Sequence, residues 1–324
     1  MKFNNLIRSI QFVCLSACLG ILNSCDVFNE DLPECRLSVK FKYDYNMLST
    51  DEFHTQVDQV TLFIFDKDEK FLFKQSAEGN SLATGEYLMD VQLPVGYYKF
   101  MAWAGVHDSY EISSLVAGVS TITDVKLRLK RDKSLIINTK LEPLWYGEII
   151  DVNFTGTSNQ TEVINLIKDT KKIKCMFQNA ASSNNDLLLD NYKFEILSSN
   201  GYLDYDNALL KDDVLSYYPY YVEQKSNSIM IVELNTLRLV PGHDARFVIT
   251  EKATAKTVLD IDLIDFFSLV EMEGNKWSEQ EYFDRQSDYL ITFFIKDPEE
   301  SWIAAQIVIN GWTIYKQGED IEPL

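Results

Sequence analysis

An all-β chain built as two antiparallel β-sandwiches is the fold the sequence predicts. Three observations predict it. Apolar and polar residues alternate on a period of two in segment after segment, the pattern of strands with one buried face. Turn-forming pairs punctuate those segments, among them Pro94 with Gly96, Asn200-Gly201 and Asn310-Gly311. Helical periodicity is scarce, and only 51–57 and 278–285 suit short helices. With 46% hydrophobic residues in 324, the chain has material for two ordinary domains, although one large domain fits the length too.

The first element is an address. Lys2 and Arg8 form a positive start, and an apolar run from Ile10 to Leu22 follows, too short for a permanent membrane span. That is the form of a secretory signal over residues 1–24. It ends in Leu22-Asn23-Ser24-Cys25, which resembles a bacterial lipoprotein box: cleavage falls between Ser24 and Cys25, and Cys25 takes the lipid. Leu15-Ser16-Ala17-Cys18 also fits such a box, but apolar residues continue to Leu22, which favours Cys25. At about 0.8 kcal/mol per buried methylene, two or three acyl chains anchor stably where one does not. Residues 25–35 read as a tether with Asp26, Glu30, Asp31 and Glu34, similar to the acidic export tag of surface lipoproteins.

Strands begin next. Leu37, Val39, Phe41, Tyr43 and Tyr45 alternate with polar residues, so one face is buried. Residues 60–65 (VTLFIF) are apolar throughout, as in a central strand. Asp66 to Lys70 make the turn, and Phe71-Leu72-Phe73 start the return. Tyr87, Met89, Val91 and Leu93 alternate again, residues 97–103 (YYKFMAW) follow, and Val125, Leu127 and Leu129 complete the first half. Residues 156–161 (GTSNQT) lack apolar material and mark a boundary, giving domains over 36–157 and 158–324. The second half repeats the style at 173–177, 192–196, 229–234, 237–240, 247–250, 257–263, 289–295 and 302–309.

A net charge of −19 repels phosphates and argues against nucleic-acid partners. Loss of Lys2 and Arg8 with the signal makes the mature chain −21. The best basic cluster, Lys126, Arg128, Lys130, Arg131 and Lys133, begins by alternating with apolar residues and reads as the wet face of a strand. The five cysteines form no CxxC or Cys/His pattern, so neither a metal nor any other cofactor is expected. Cys35 and Cys175 could pair in an exported protein, but one flanks a tether and the other faces a core.

Candidate catalytic groups are sparse. His54, His107 and His243 are far apart in sequence, and His107-Asp108 lacks a nucleophile elbow. Asp66-Lys67-Asp68 and Asp204-Tyr205-Asp206-Asn207 miss the spacing of calcium loops and read as turns. Asp260 and Asp262 share the wet face of a strand. Of Trp103, Trp145, Trp277, Trp302 and Trp312, Trp277 is the best candidate for an exposed sugar platform.

Several stretches together carry a family resemblance: Cys25 with its acidic tether and Cys35, VKFKYDYNM at 39–47, DEF at 51–53, VDQVTLFIFD at 57–66, LPVGYYKFMAWAG at 93–105 and NGWTIY at 310–315. The chain resembles the FimB-like fimbrillin-associated anchor proteins of Bacteroidales, lipoproteins at the base of minor fimbriae. One departure is Asp68-Glu69, where the family has glycine in the turn after FD. The resemblance implies two tandem transthyretin-like sandwiches, lipid-anchored in the outer membrane through Cys25. It implies a non-enzymatic protein that holds a fimbrial shaft to the cell surface and limits its length, with shaft or accessory subunits as partners. A surface glycan-binding lipoprotein is the alternative from a different class.

Overall fold

The computed structural model describes residues 35–179, 186–269, 277–297, 301–309 and 312–314. Strands dominate, as expected. The first group is β1 (Leu37–Lys42), β2 (Gln59–Asp66), β3 (Phe71–Glu78), β4 (Met89–Val91) and β5 (Gly96–Ala104), with the single-turn helix α1 (Phe53–Gln56) after β1. Three short strands follow: β6 (Tyr110–Ile112), β7 (Leu127–Leu129) and β8 (Ile136–Ile137). Two long ones come next, β9 (Trp145–Phe154) and β10 (Gln160–Lys168). Then come β11 (Lys171–Asn179), β12 (Tyr192–Ser198), β13 (Tyr202–Leu203), β14 (Leu215–Tyr217), β15 (Tyr221–Ser226), β16 (Ile229–Thr236), β17 (Ala245–Glu251) and β18 (Thr257–Asp262). Helices α2 (Leu263–Ser268) and α3 (Glu279–Arg285) precede β19 (Asp288–Asp297), β20 (Ser301–Ile309) and β21 (Trp312–Ile314).

Seven strands in the order β3-β2-β5-β9-β10-β1-β4 form the first sheet. The Gln75 amide of β3 donates to the Asp90 carbonyl of β4 at 3.0 Å, so its two edges meet and the sheet curls round its own apolar face. Inside lie Val39, Phe41, Leu62, Ile64, Phe100, Ala102 and Ile164, closed at one end by Phe53 of α1. Residues one position over on the same strands, Phe63, Phe65, Met101 and Trp103, point the other way and are buried too. Both faces of β2 are therefore covered, which is why residues 60–65 are apolar without alternation.

That outer face packs on the segment carrying β6 to β8, which joins the first half to the second. Leu127, Leu129 and Tyr110 lie in one continuous core with Leu203, Tyr217, Phe247 and Phe293. Strands β6 and β7 share a three-stranded sheet with β13, and β8 pairs in parallel with β14 at the edge of a five-stranded sheet, β18-β17-β12-β14-β8. Opposite stands the six-stranded sheet β15-β16-β11-β19-β20-β21. Phe177 of β11, stacked on Phe293 of β19 at 4.9 Å, and Phe194 of β12 pack between the two sheets, completing a sandwich.

Several expectations need correction. The polar stretch 156–161 spans the turn from β9 into the start of β10, both in the first sheet, and after β10 the chain passes out of that sheet at Asp169. Residues 237–240 alternate but form no ladder; Leu237 and Leu239 are buried while Arg238 turns inward to an ion pair. Asn200-Gly201 makes no hairpin, because β12 and β13 belong to different sheets. Asn200 is instead buried, giving its amide to Thr236 and the Arg238 carbonyl and accepting the Tyr217 hydroxyl. The turn 66–70 stands as expected: the Asp66 carboxylate accepts the amides of Asp68 and Lys70, and Glu69 takes a φ of 60°, a left-handed conformation that glycine adopts most readily.

Candidate functional site: a buried ionic junction between the halves

The chain passes from the first sheet to the second through Asp169-Thr170-Lys171, between β10 and β11. All three side chains are buried, and Asp169 and Lys171 are completely inaccessible. The Leu144 carbonyl accepts the Asp169 amide at 2.9 Å, and Thr170 Oγ1 accepts the Leu144 amide at 2.6 Å, so the link is pinned to the start of β9. Lys171 Nζ donates to three carbonyls, those of Lys168, Phe283 and Gln286. Two of them belong to the C-terminal end of α3, where the helix dipole favours a cation. Burial pushes the Lys171 ammonium down from its ordinary value, against the pull of Asp284 and Asp169.

Arg238 closes the cluster. Its Nε and Nη2 form a fork on the two oxygens of Asp284 at 2.9 and 2.8 Å, and Nη1 donates to the Asn207 carbonyl. The Asn207 amide donates to Asp169 Oδ1 at 3.0 Å. Desolvation pushes the Asp169 carboxyl upward, with Arg238 and Asn207 opposing it.

Around this centre, more side chains cross between the halves. Arg285 lies over the Tyr45 ring at 4.1 Å and the Trp277 ring at 4.8 Å. Lys126 meets Asp204 at 2.8 Å, Arg128 lies over the Tyr202 ring at 4.2 Å, and Arg131 pairs with the nearly inaccessible Asp212. The basic run around β7 is thus a contact surface for the second half, although Leu127 and Leu129 alternate inward as expected. The arrangement has no nucleophile beside a base. It ties the β10–β11 link, the segment after β16 and α3 together through buried hydrogen bonds and charge.

A family model for the fimbrillin-A associated anchor proteins Mfa1 and Mfa2 matches residues 32–318. This chain belongs to that anchor family. The minor fimbrium anchoring subunit Mfa2 of Porphyromonas gingivalis is 25% identical over 324 residues, 97% of this chain and 96% of that protein. A crystal structure of a Bacteroides thetaiotaomicron protein, put forward as polysaccharide-binding, is 56% identical with a TM-score of 0.83, over 88% of this chain and all of that one. An adhesin candidate from Bacteroides ovatus is 28% identical with a TM-score of 0.77, over 90% of this chain and 99% of that one. A solved structure of the fimbrial anchor protein Mfa2 from P. gingivalis, 22% identical, has the same fold, with a TM-score of 0.66 over 87% of this chain and 99% of that one.

The remaining candidates of this family member fall into ordinary structural roles. His107 Nε2 meets Asp58 at 2.9 Å rather than Asp108; His54 and His243 are exposed. Asp204 is taken by Lys126, and Asp206 caps its own turn through the Ala208 amide. Asp260 pairs with Arg246, while Asp262 caps α2 by accepting the Ile264 and Asp265 amides. Trp103 and Trp145 are core residues, and Trp277 is covered by Arg285. Cys35 and Cys175 are both free thiols, Cys175 deep in β11. Among the described residues no helix is long and apolar enough to cross a membrane, and no three His, Cys, Asp or Glu side chains could share a metal ion. Cys25, Ser24 and the Asn310-Gly311 pair lie outside the described residues, as do the side chains of Trp302 and Trp312.

The junction residues Asp169, Lys171, Arg238 and Asp284 were absent from the sequence-derived candidates. A signal did exist: Arg238 stands between Leu237 and Leu239, and Asp284 directly follows Tyr282-Phe283, so each is a charge embedded in apolar residues.

Proposed function

We propose that this chain is the lipid-anchored base subunit of a fimbria, tethered to the outer membrane through acyl chains on Cys25. Membership of the anchor family across residues 32–318 is the observation that carries the reading. The tether accounts for the rest: cleavage after Ser24 leaves Cys25 ten residues from Cys35, and β1 begins at Leu37. A body of −21 stands off an anionic surface, so greasy chains rather than surface charge must hold it. Two transthyretin-like units, divided at Asp169 and locked by the buried network, would present shaft or accessory subunits with a rigid base that limits shaft length.

A glycan-binding role draws on the polysaccharide-binding suggestion for the B. thetaiotaomicron relative. It is disfavoured here because the tryptophans with described side chains are buried or covered, leaving no stacking platform from them. The test is Cys25→Ala in the native host. Folded protein should move to the soluble fraction, fimbriae should be shed into the medium, and the wild-type mature N-terminus should be a lipid-bearing cysteine by mass. A variant that still fractionates with the outer membrane, or a mature chain beginning at Cys18, would overturn the assignment.

A further inference from the structure

The donors around Asp169 are already committed. Lys171 uses all three of its N–H groups on carbonyls, which also requires that it be a charged ammonium, since a neutral amine has only two. Arg238 directs its fork to Asp284 and another N–H to the Asn207 carbonyl. What reaches the Asp169 carboxyl is one hydrogen bond, from Asn207 Nδ2 to Oδ1. Its other oxygen, Oδ2, is buried without a partner, and so is Oδ1 of the same Asn207. Two bare acceptor oxygens thus belong to two side chains already joined by a hydrogen bond, both almost wholly inaccessible. Left so, each costs about 1–3 kcal/mol.

We propose that Asp169 is held as the neutral acid and forms a two-bond acid–amide pair with Asn207. Asp169 Oδ2–H donates to Asn207 Oδ1 while Asn207 Nδ2–H donates to Asp169 Oδ1. One proton on one atom satisfies both bare oxygens, and no oxidant, metal or further ligand is required. The pair ties the β10–β11 link to the loop after β13, so the junction between the halves is latched by a proton. Other charged or titratable groups facing it are Arg238 beyond β16, Asp284 of α3, Lys171 of β11, Tyr146 of β9, and Tyr110 of β6. Asp206, adjacent to the link's partner Asn207, adds a second acid near Tyr146. Burial is the largest influence on Asp169 and favours the protonated form.

The sign follows from linkage. The folded state holds this proton more tightly than an unfolded Asp, whose ordinary value is 3.8. Below that value both states are protonated and the group contributes no penalty. As pH rises from about 4 towards neutrality, the unfolded chain ionises first and stability is lost. The experiment is denaturant unfolding of the purified full chain from pH 4 to 8, wild type against Asp169→Asn. The amide is isosteric, cannot ionise and keeps both hydrogen bonds. Stability of the variant should match wild type near pH 4 and exceed it progressively above, by about tenfold in the folding equilibrium per unit of displacement in the carboxyl titration. A difference that stays flat across this range would overturn the proposal. If Asp169→Asn fails to fold, the wild-type Asp169 carboxyl carbon, followed by NMR, decides: titration well above the ordinary range supports the latch. An ionised carboxylate at pH 5, as a buried bridging water would leave it, refutes the latch.

Discussion

Asp284→Asn should be among the most damaging single substitutions in this molecule. Asp284 is 4% exposed and accepts three charge-assisted or amide hydrogen bonds: Arg238 Nε at 2.9 Å, Arg238 Nη2 at 2.8 Å and Gln280 Nε2 at 2.8 Å. The amide puts an N–H where one oxygen of the fork stood. It also removes the countercharge from a guanidinium whose side chain is 13% exposed. Breaking a buried pair from one side costs about 3–5 kcal/mol, because the surviving charge stays desolvated. A surface pair such as Lys67–Asp68, with side chains 70% and 67% exposed, should contribute no more than about 1 kcal/mol. Denaturant midpoints at unchanged m-value measure both. The double variant Arg238→Met/Asp284→Leu removes both charges and should recover most of the loss. It keeps a deficit of about 1–3 kcal/mol for the Asn207 carbonyl that Arg238 had satisfied. A cost of Asp284→Asn below about 1 kcal/mol, or a double-variant cost equal to the sum of Arg238→Met and Asp284→Leu measured singly, would refute a buried, mutually dependent pair.

Two further substitutions probe the same architecture. Gly105 has a φ of 71°, and a Cβ there would lie 2.0 Å from the Pro143 carbonyl oxygen, so Gly105→Ala should cost more than about 2 kcal/mol in denaturant unfolding. Gly79, at φ 78° with nothing within 4 Å of a built Cβ, should lose only about 1 kcal/mol on the same change. Arg285→Ala removes the cation from the Tyr45 and Trp277 rings; a loss of about 1–3 kcal/mol should accompany a red-shift of Trp277 fluorescence as its face meets water.

Much of the fold was legible because one-sided burial writes itself into alternation. β1 is the clearest case, with Leu37, Val39 and Phe41 inward. β9 and β10 were missed for a physical reason. Only Val152 and Phe154 are fully buried in the second half of β9, and β10 begins with Gln160, Thr161 and Glu162 at the sheet's exposed end. With their polar ends adjoining, residues 156–161 have the composition of a domain boundary. The strand expected over 257–263 overruns into the first residue of α2, because Leu263 continues the alternation of Leu259 and Ile261; the Asp262 cap that starts the helix is a single residue. The ionic junction was hidden more deeply. Lys171 meets carbonyls at 283 and 286, and Arg238 meets Asp284; only the closed fold brings such distant positions together.

Topology also decides how a tethered base would bear a pull. With the anchor at Cys25 as proposed, tension enters β1 at its N-terminal end. β1 lies parallel to β10 across six registered pairs, Leu37 with Gln160 through Lys42 with Asn165. β10 leaves that ladder at its C-terminal end and runs through Asp169 to Lys171 into β11. The two ends that carry the load are therefore opposite ends of a parallel pair, so the whole ladder is sheared at once. In a hairpin pulled at its open ends the hydrogen bonds fail one after another; here they must fail together. Downstream of that ladder, the next segment under tension would be Asp169-Thr170-Lys171, which is held by buried hydrogen bonds and charge. A connection between the two halves could have been a flexible linker. Under the proposed anchoring at Cys25, its burial would keep the halves together under tension, where a flexible link would let them separate before the sheets resisted.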